Sequence, residues 1–120
     1  MAIVRTFKDL HAWQRAHEFV LGVYRLTMKF PKEEIYGLTS QLRRAAVSVP
    51  ANIAEGFTRL SPAEKVRFYK IAEGSLEESR YYLYLACELG YADSPELQAI
   101  GEETTRLIKG LIKSIKKASE

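Results

Sequence analysis

The 120-residue sequence has a single cysteine, only two histidines and no long apolar run. Because Cys87 has no second cysteine to pair with, no internal disulfide can form, and we expect a small core residue at this position. No segment approaches the roughly 18 apolar residues that a membrane-spanning helix needs. The first residues are too few and too polar for a signal peptide. We therefore expect a soluble, cytoplasmic protein that does not associate with a membrane.

The sequence also lacks a recognisable catalytic or metal-binding constellation. A di-iron helical bundle uses Glu-x-x-His pairs on two helices. His11 and His17 belong to one predicted helix and lie about 120° apart around its axis, so they cannot share a metal from one face. Adjacent glutamates such as Glu77 and Glu78 diverge by about 100°, which is typical of solvated helix faces. Since no glycine-rich phosphate loop is present either, we expect no enzyme activity, no cofactor and no metal site.

What the sequence does contain is helical periodicity with clear start and stop signals. Ser61-Pro62-Ala63-Glu64 and Asp93-Ser94-Pro95-Glu96 both provide an N-cap serine followed by a proline at the first helical position, and Gly90 is a stop signal. The connections are short, so neighbouring helices are expected to be antiparallel. The prediction is an all-α, up-down-up-down four-helix bundle. It forms one domain over residues 1–120, with helices at about residues 7–30, 32–57, 62–89 and 95–117.

Three of the glycines inside these predicted helices are candidates for close packing, since a helical glycine costs about 1 kcal/mol relative to alanine. They are Gly22, Gly74 and Gly110. We expect each of them to mark a place where a neighbouring helix approaches closely.

The second helix carries more apolar surface than a simple bundle needs. Its apolar residues cover roughly 200° of the helix, against the roughly 100° stripe of an ordinary surface helix. Tyr36, Val47, Pro50 and Ala54 supply the extra sector. This favours a second contact, most simply with another subunit, although a fully buried helix of a monomer is the alternative. Pro50 costs about 3 kcal/mol in a helix interior. We expect a kink there, with two helices broken near Ser48 as the alternative.

A row of polar residues follows the same helix at spacings of 3, 4, 4 and 3. Its members are Gln41, Arg44, Ser48, Asn52 and Glu55. They form either a solvated face or a polar network that fixes register at an interface. Glu78 lies on an apolar stripe of the third helix, so we expect it to pair with Arg43 or Arg44, within or between subunits. Replacing Glu78 with alanine should then cost more than the roughly 0.5 kcal/mol of an exposed site.

Positive charge is concentrated in the last helix. Residues 104–117 contain five cations and no anion: Arg106, Lys109, Lys113, Lys116 and Lys117. Arg15 and Arg25 of the first helix are candidates to extend this face, because the first and last helices are plausible neighbours. Cations near a helix C-terminus are also ordinary helix chemistry. Outward-facing cations would favour binding of RNA or DNA, whereas neutralisation by Glu102 or Glu103 would favour a scaffold for a protein partner.

Several segments together resemble one known family over nearly the whole chain. They are Phe7-Lys8-Asp9-Leu10 with Trp13-Gln14, Phe30-Pro31, and the stretches 36–46, 50–56 and 72–78. The sequence is similar to the four helix bundle proteins, also called 23S rRNA intervening-sequence proteins. That resemblance implies an antiparallel bundle that assembles into a homopentamer without an established enzyme activity. The related accessory protein of diversity-generating retroelements is also a pentamer and engages nucleic acid through a basic surface, which extends to this chain by analogy only.

Overall fold

Four α-helices make up most of the chain in the computed structural model, which describes residues 3–120. They are α1 (His11–Thr27), α2 (Leu38–Thr58), α3 (Pro62–Glu88) and α4 (Pro95–Ala118). No strand occurs among the described residues, so the all-α four-helix prediction is confirmed. Within residues 3–120, no helix is long and apolar enough to cross a membrane. Residues 1 and 2 lie outside the described part. They begin the segment that was predicted to be too polar for a signal peptide.

The first helix begins later than the predicted residue 7. Thr6 and Asp9 do form a capping box, in which the Asp9 carboxylate accepts the Thr6 N–H at 3.0 Å. This box caps a single 3-10 turn, Phe7–Asp9, because Leu10 then adopts an extended conformation (φ −77°, ψ 126°). The α-helix starts only at His11 and ends at Thr27, not at residue 30.

The second helix also begins later than predicted, and it continues through its proline. Residues Lys32–Glu34 form a separate 3-10 turn, and Gly37 leaves the helical region with φ −113° and ψ −115°. The Glu34 carboxylate then accepts the Leu38 N–H at 3.0 Å, which satisfies one free donor at the start of α2. Pro50 lies inside the unbroken α2, so the alternative of two helices is wrong. The kink at Pro50 stays a prediction.

Each helix packs against its neighbours in the chain, and α1 packs against α4. Three of the four packed helix pairs are antiparallel, because residue numbers rise in one helix as they fall in the other. The contacts are Ser48 with Ser75 and Phe57 with Lys65 between α2 and α3, Glu73 with Lys109 and Arg80 with Thr105 between α3 and α4, and Gly22 with Leu97 and Arg15 with Glu103 between α1 and α4. The core between the helices contains large side chains that are almost fully buried: Phe19, Leu42, Ile53, Tyr69, Leu76 and Ile108. Each contributes about 1.5–3 kcal/mol by leaving water. Cys87 is exposed, so its assignment to the core was wrong.

The glycines divide into close contacts and open positions. A Cβ added to Gly22 would lie 2.6 Å from Leu97 Cδ1, which confirms the predicted close approach of α1 and α4. Within the subunit the same prediction is wrong for Gly74 and Gly110, since an added Cβ would meet no atom within 4 Å at either position. Gly56 marks a further close approach, because its Cβ would lie 2.7 Å from the Tyr69 ring.

Candidate nucleic-acid interface

Three of the candidate lysines are free at the C-terminal end of α4. Lys113, Lys116 and Lys117 are exposed, and in the described part of the chain none of them has a carboxylate within 4.0 Å. Together with Lys109, Ile112 and Glu120 they line an open cavity of about 510 Å³. Unpaired ammonium groups at this spacing are suited to phosphate oxygens, because each is a compact charge with three donors.

The other two α4 candidates are paired with carboxylates. Arg106 donates to Glu102 one turn earlier at 3.2 Å, and Lys109 Nζ lies 2.9 Å from Glu73 on α3. The hydrogen bond to Glu73, with the charge of that carboxylate, raises the pKa of Lys109. The five cations that form one stripe in the sequence therefore divide into a neutralised part and a free part.

The two α1 candidates do not join the free lysines. Arg15 lies between Glu18 on its own helix and Glu103 on α4, 3.0 Å from the latter. Its hydrogen bond to Glu18 is the main reason that the pKa of Arg15 is raised. Arg25 lines a different cavity, close to Leu97 near the start of α4. Since residues 97 and 113 are about 24 Å apart along a helix, Arg25 does not lie beside the free lysines.

Instead, the antiparallel packing gathers cations at one end of the bundle. We define the basic end as residues 3–13, 51–71 and 110–120, which include the last turns of α2 and α4 and the first turns of α3. It holds nine of the cationic side chains, namely Arg5, Lys8, Arg59, Lys65, Arg67, Lys70, Lys113, Lys116 and Lys117, and four acidic ones, namely Asp9, Glu55, Glu64 and Glu120. The α3 cations were missed from the sequence, although the predicted antiparallel order already puts the start of α3 beside the end of α4.

Arginine and aromatic side chains meet at the same end. The guanidinium carbons of Arg59 and Arg67 lie 4.7 and 4.5 Å from the centre of the Phe68 ring. Lys65 lies 5.5 Å from the centre of the Phe57 ring and donates to the Phe57 carbonyl at 2.8 Å. These contacts fix aromatic and cationic groups together near the α2–α3 connection.

The predicted polar row of α2 lies along the groove between α2 and α3. Gln41, Arg44 and Ser48 line a cavity of about 370 Å³ there, together with Glu78 from α3. The Ser48 and Ser75 hydroxyls are 2.9 Å apart. Asn52 joins this network by donating to the backbone and side-chain oxygens of Ser48, whereas Glu55 reaches Arg59 at 3.4 Å instead.

The predicted ion pair of Glu78 is absent from the described residues. Glu78 is exposed and accepts a hydrogen bond from the Tyr82 hydroxyl at 2.6 Å, which raises the pKa of Tyr82. Arg43 turns to the other side of α2, where its Nε donates to Thr27 at 2.8 Å and its guanidinium lies 4.6 Å from the centre of the Tyr24 ring. Within one subunit Glu78 is exposed to water, so burial does not force it to find a cation, and a pair with an arginine of another subunit stays a prediction.

A second surface runs along the outside of α3. We define the outer α3 face as the exposed residues Ile71, Gly74, Glu78, Tyr81 and Leu89, which recur at helical spacing. Tyr81 is 57% exposed and Leu89 is 50% exposed. The extra apolar residues of the second helix divide differently, since Pro50 is buried whereas Tyr36 and Val47 are exposed. The structure thus has exposed apolar surface on α3 as well as near the start of α2.

Residues 3–120 hold no group of three or more His, Cys, Asp or Glu side chains placed to bind a metal ion.

Comparison with known proteins gives a family and a fold. The model of the 23S rRNA-intervening sequence protein family matches residues 8–113. A crystal structure of a protein of unknown function from the S23 ribosomal protein family of Bacteroides thetaiotaomicron superposes with a TM-score of 0.77 and 22% sequence identity, covering 88% of this chain and 98% of that one. No curated protein matches the sequence.

Proposed function

Because this chain belongs to the 23S rRNA-intervening sequence protein family, we propose that it is a non-enzymatic, homo-oligomeric protein that binds nucleic acid, with RNA as its main ligand in the cytoplasm. The observation that carries the proposal is the free lysine group Lys113, Lys116 and Lys117 at the basic end. These ammonium groups supply sequence-independent attraction to phosphates, which is the dominant part of non-specific nucleic-acid affinity.

Assembly would strengthen this weak interaction. One subunit offers only a few phosphate contacts, whereas a ring of identical subunits repeats them and can raise the avidity by orders of magnitude. We take five as the number of subunits, because the family resemblance implies a homopentamer. The physical support for assembly is the outer α3 face, which exposes Ile71, Tyr81 and Leu89 to water. Gly74 lies in the middle of that face, where an added Cβ would meet no atom within 4 Å, so it leaves room for a partner side chain.

Salt-dependent binding tests the phosphate contacts. Lys113→Gln, Lys116→Gln and Lys117→Gln combined remove the free lysines. A triple Gln variant at Arg15, Arg106 and Lys109 removes the same formal charge from positions that are already paired.

Each lost phosphate contact should reduce the slope of log affinity against log salt by about 0.7 on single strands and about 0.9 on duplex DNA. The free-lysine variant should therefore lose about two units of slope on single-stranded RNA, and the paired variant should lose much less. Equal effects of the two triple variants would contradict the assignment of the site.

Measuring the mass in solution tests assembly. Gly74→Leu should shift the oligomer towards the monomer, since the new side chain occupies the open space in the middle of the outer α3 face. Gly110→Leu is the matched control, because it adds the same atoms at another open helical glycine. A Gly74→Leu protein with unchanged mass would exclude the outer α3 face from the interface.

The exposed aromatics favour one alternative, a protein–protein scaffold or adaptor. Tyr81 and Tyr84 are 57% and 59% exposed, and tyrosine is enriched in protein interfaces. An intact oligomer that binds no RNA or DNA even at low salt would support this alternative and exclude nucleic-acid binding.

A further inference from the structure

The cluster around Phe68 has the composition of a stacking site. Two guanidinium groups lie within 5 Å of one aromatic ring, from Arg59 at the end of α2 and Arg67 in α3. Guanidinium is planar and weakly hydrated, so it stacks on an aromatic ring on one side and accepts another flat group on its free side. Within the described residues Arg59 Nε is buried without a hydrogen-bond partner, so the ring and Glu55 hold its plane.

The cluster is fixed on its inner side and open on its outer side. Phe68 packs towards α2, where a Cβ on Gly56 would lie 3.1 Å from the Phe68 Cβ. Outside, the side chain of Arg67 is 60% exposed and lies 3.8 Å from the Glu64 carboxylate, and that of Arg59 is 37% exposed. Leu60, which follows Arg59, is 97% exposed and adds apolar surface at the same place. A flat, partly apolar ligand can therefore reach the guanidinium planes without displacing the core.

The free lysines lie on the same end of the bundle as this cluster. Lys109 contacts Glu73 across the seam between α3 and α4. One turn further towards the basic end, Lys113 follows Lys109 and Lys70 precedes Glu73, so these two lysines lie at the same level of antiparallel helices. Lys70 is in turn a helical neighbour of Arg67. A band of cations therefore runs from the free lysines across α3 to the stacking cluster.

We infer that this end of the bundle binds single-stranded nucleic acid, with a base stacked on the Arg59–Phe68–Arg67 cluster and the adjoining phosphates on Lys70 and the free lysines. The inference rests on the proposed function and names its substrate class. Stacked planar groups beside cations serve unpaired bases, since every base has a π-face, whereas the bases of a duplex are already stacked on one another. Charge alone would attract both forms.

The test separates stacking from charge by replacing arginine with lysine. The Arg59→Lys/Arg67→Lys variant keeps both positive charges but loses both planar groups. Arg67→Lys alone serves as a second variant, because that exposed side chain can change without disturbing the end of α2. Arg106→Lys is the matched control, since Arg106 is an exposed arginine with a Glu one turn away and no aromatic contact.

Four probes are compared at one salt concentration: single-stranded RNA, single-stranded DNA of the same sequence, an abasic ribose-phosphate chain and duplex RNA. The single strands have about 12 nucleotides, which is within the size range that single-strand modules cover. Stacking is worth roughly 1–3 kcal/mol per base, so we expect the double variant to bind the two base-bearing single strands about five- to a hundredfold more weakly. Its affinity for the abasic chain and the duplex should not change, and Arg106→Lys should behave as the wild type.

The outcomes distinguish base stacking from charge-driven binding. Equal affinity of the wild type for the abasic chain and the RNA, or unchanged RNA binding by both lysine variants, would overturn base stacking while leaving charge-driven binding intact. Failure of the wild type to bind any probe at low salt would overturn the proposed function and the stacking site together. A loss confined to RNA would identify RNA as the ligand, and a loss on both strands would identify single strands in general.

Discussion

Gly56 is the position where one added methyl group should have the clearest effect on the bundle. It is buried near the end of α2, where this helix passes α3 at close range. In a Gly56→Ala protein the Cβ would lie 2.7 Å from Tyr69 Cε1 and 3.0 Å from Tyr69 Cδ1. Tyr69 is 2% exposed, so its ring cannot turn away into water. The helices must separate or the ring must leave its preferred conformation.

Two opposing terms set the magnitude. Overpacking a tight core costs about 1–3 kcal/mol. Replacing a helical glycine by alanine returns up to about 1 kcal/mol. The clash is with the ring of a buried tyrosine, so the first term wins and Gly56→Ala should lower the free energy of unfolding by about 1 kcal/mol. Gly110→Ala, at an open position in α4, should instead raise it by up to about 1 kcal/mol.

Denaturant unfolding followed by circular dichroism measures both variants. The protein concentration must be matched, because the apparent stability of an oligomer depends on it. The essential expectation is the opposite sign of the two changes. If Gly56→Ala were as stable as Gly110→Ala, the close approach of α2 and α3 at Gly56 would be refuted. The basic end is built on that approach, since it places Phe68 beside Arg59.

Two further predictions concern carboxylates. Hydrogen bonds from the Leu38 N–H and the Tyr91 hydroxyl lower the pKa of Glu34, so Glu34 stabilises the fold above the ordinary glutamate pKa of about 4.3 and that stabilisation is lost as pH falls through the lowered value. Glu34→Gln should therefore flatten the acid limb of a stability–pH profile, and an unchanged limb would show that Glu34 does not stabilise α2. In the monomeric Gly74→Leu protein, where the outer α3 face is exposed, Glu78→Ala should change the free energy of unfolding by less than about 0.5 kcal/mol, and a larger loss would show that Glu78 pairs with a cation of its own subunit.

The helix starts show which local signals can be interpreted from the sequence alone. Ser61 and Ser94 accept the N–H groups of Glu64 and Leu97, as their serine–proline signals predicted, because a cap depends only on residues within one turn. The predicted starts of α1 and α2 were too early, because a separate 3-10 turn precedes each of these helices. A 3-10 turn uses the same spacing of three residues as a capping box, so the Thr6 signal was correct but belonged to a shorter element.

The basic site could be predicted only in part, because the sequence of one helix does not show which of its side chains pair with another helix. Lys109 and Lys113 belong to the same cationic stripe in the sequence, yet only Lys109 faces a carboxylate, Glu73, across the α3–α4 seam. Identifying Glu73 as the partner requires knowing which residues of α3 and α4 lie at the same level along the bundle. The Phe68 cluster was missed for the same reason, since Arg59 belongs to the preceding helix cap and reaches the ring only after α3 folds back.

Assembly and nucleic-acid binding need not compete, although both use α3. Arg67 and Phe68 lie in the first turns of the helix, whereas Ile71, Tyr81 and Leu89 extend along its remaining length. A subunit contact along that length would leave the basic end at the rim. In a closed ring whose bundles run parallel to the ring axis, all basic ends would lie on one side and a single strand could follow them. A monomeric variant should then keep the difference between RNA and the abasic chain but lose the avidity of the ring. If dissociation removed that difference as well, the stacking site would have to be shared between subunits.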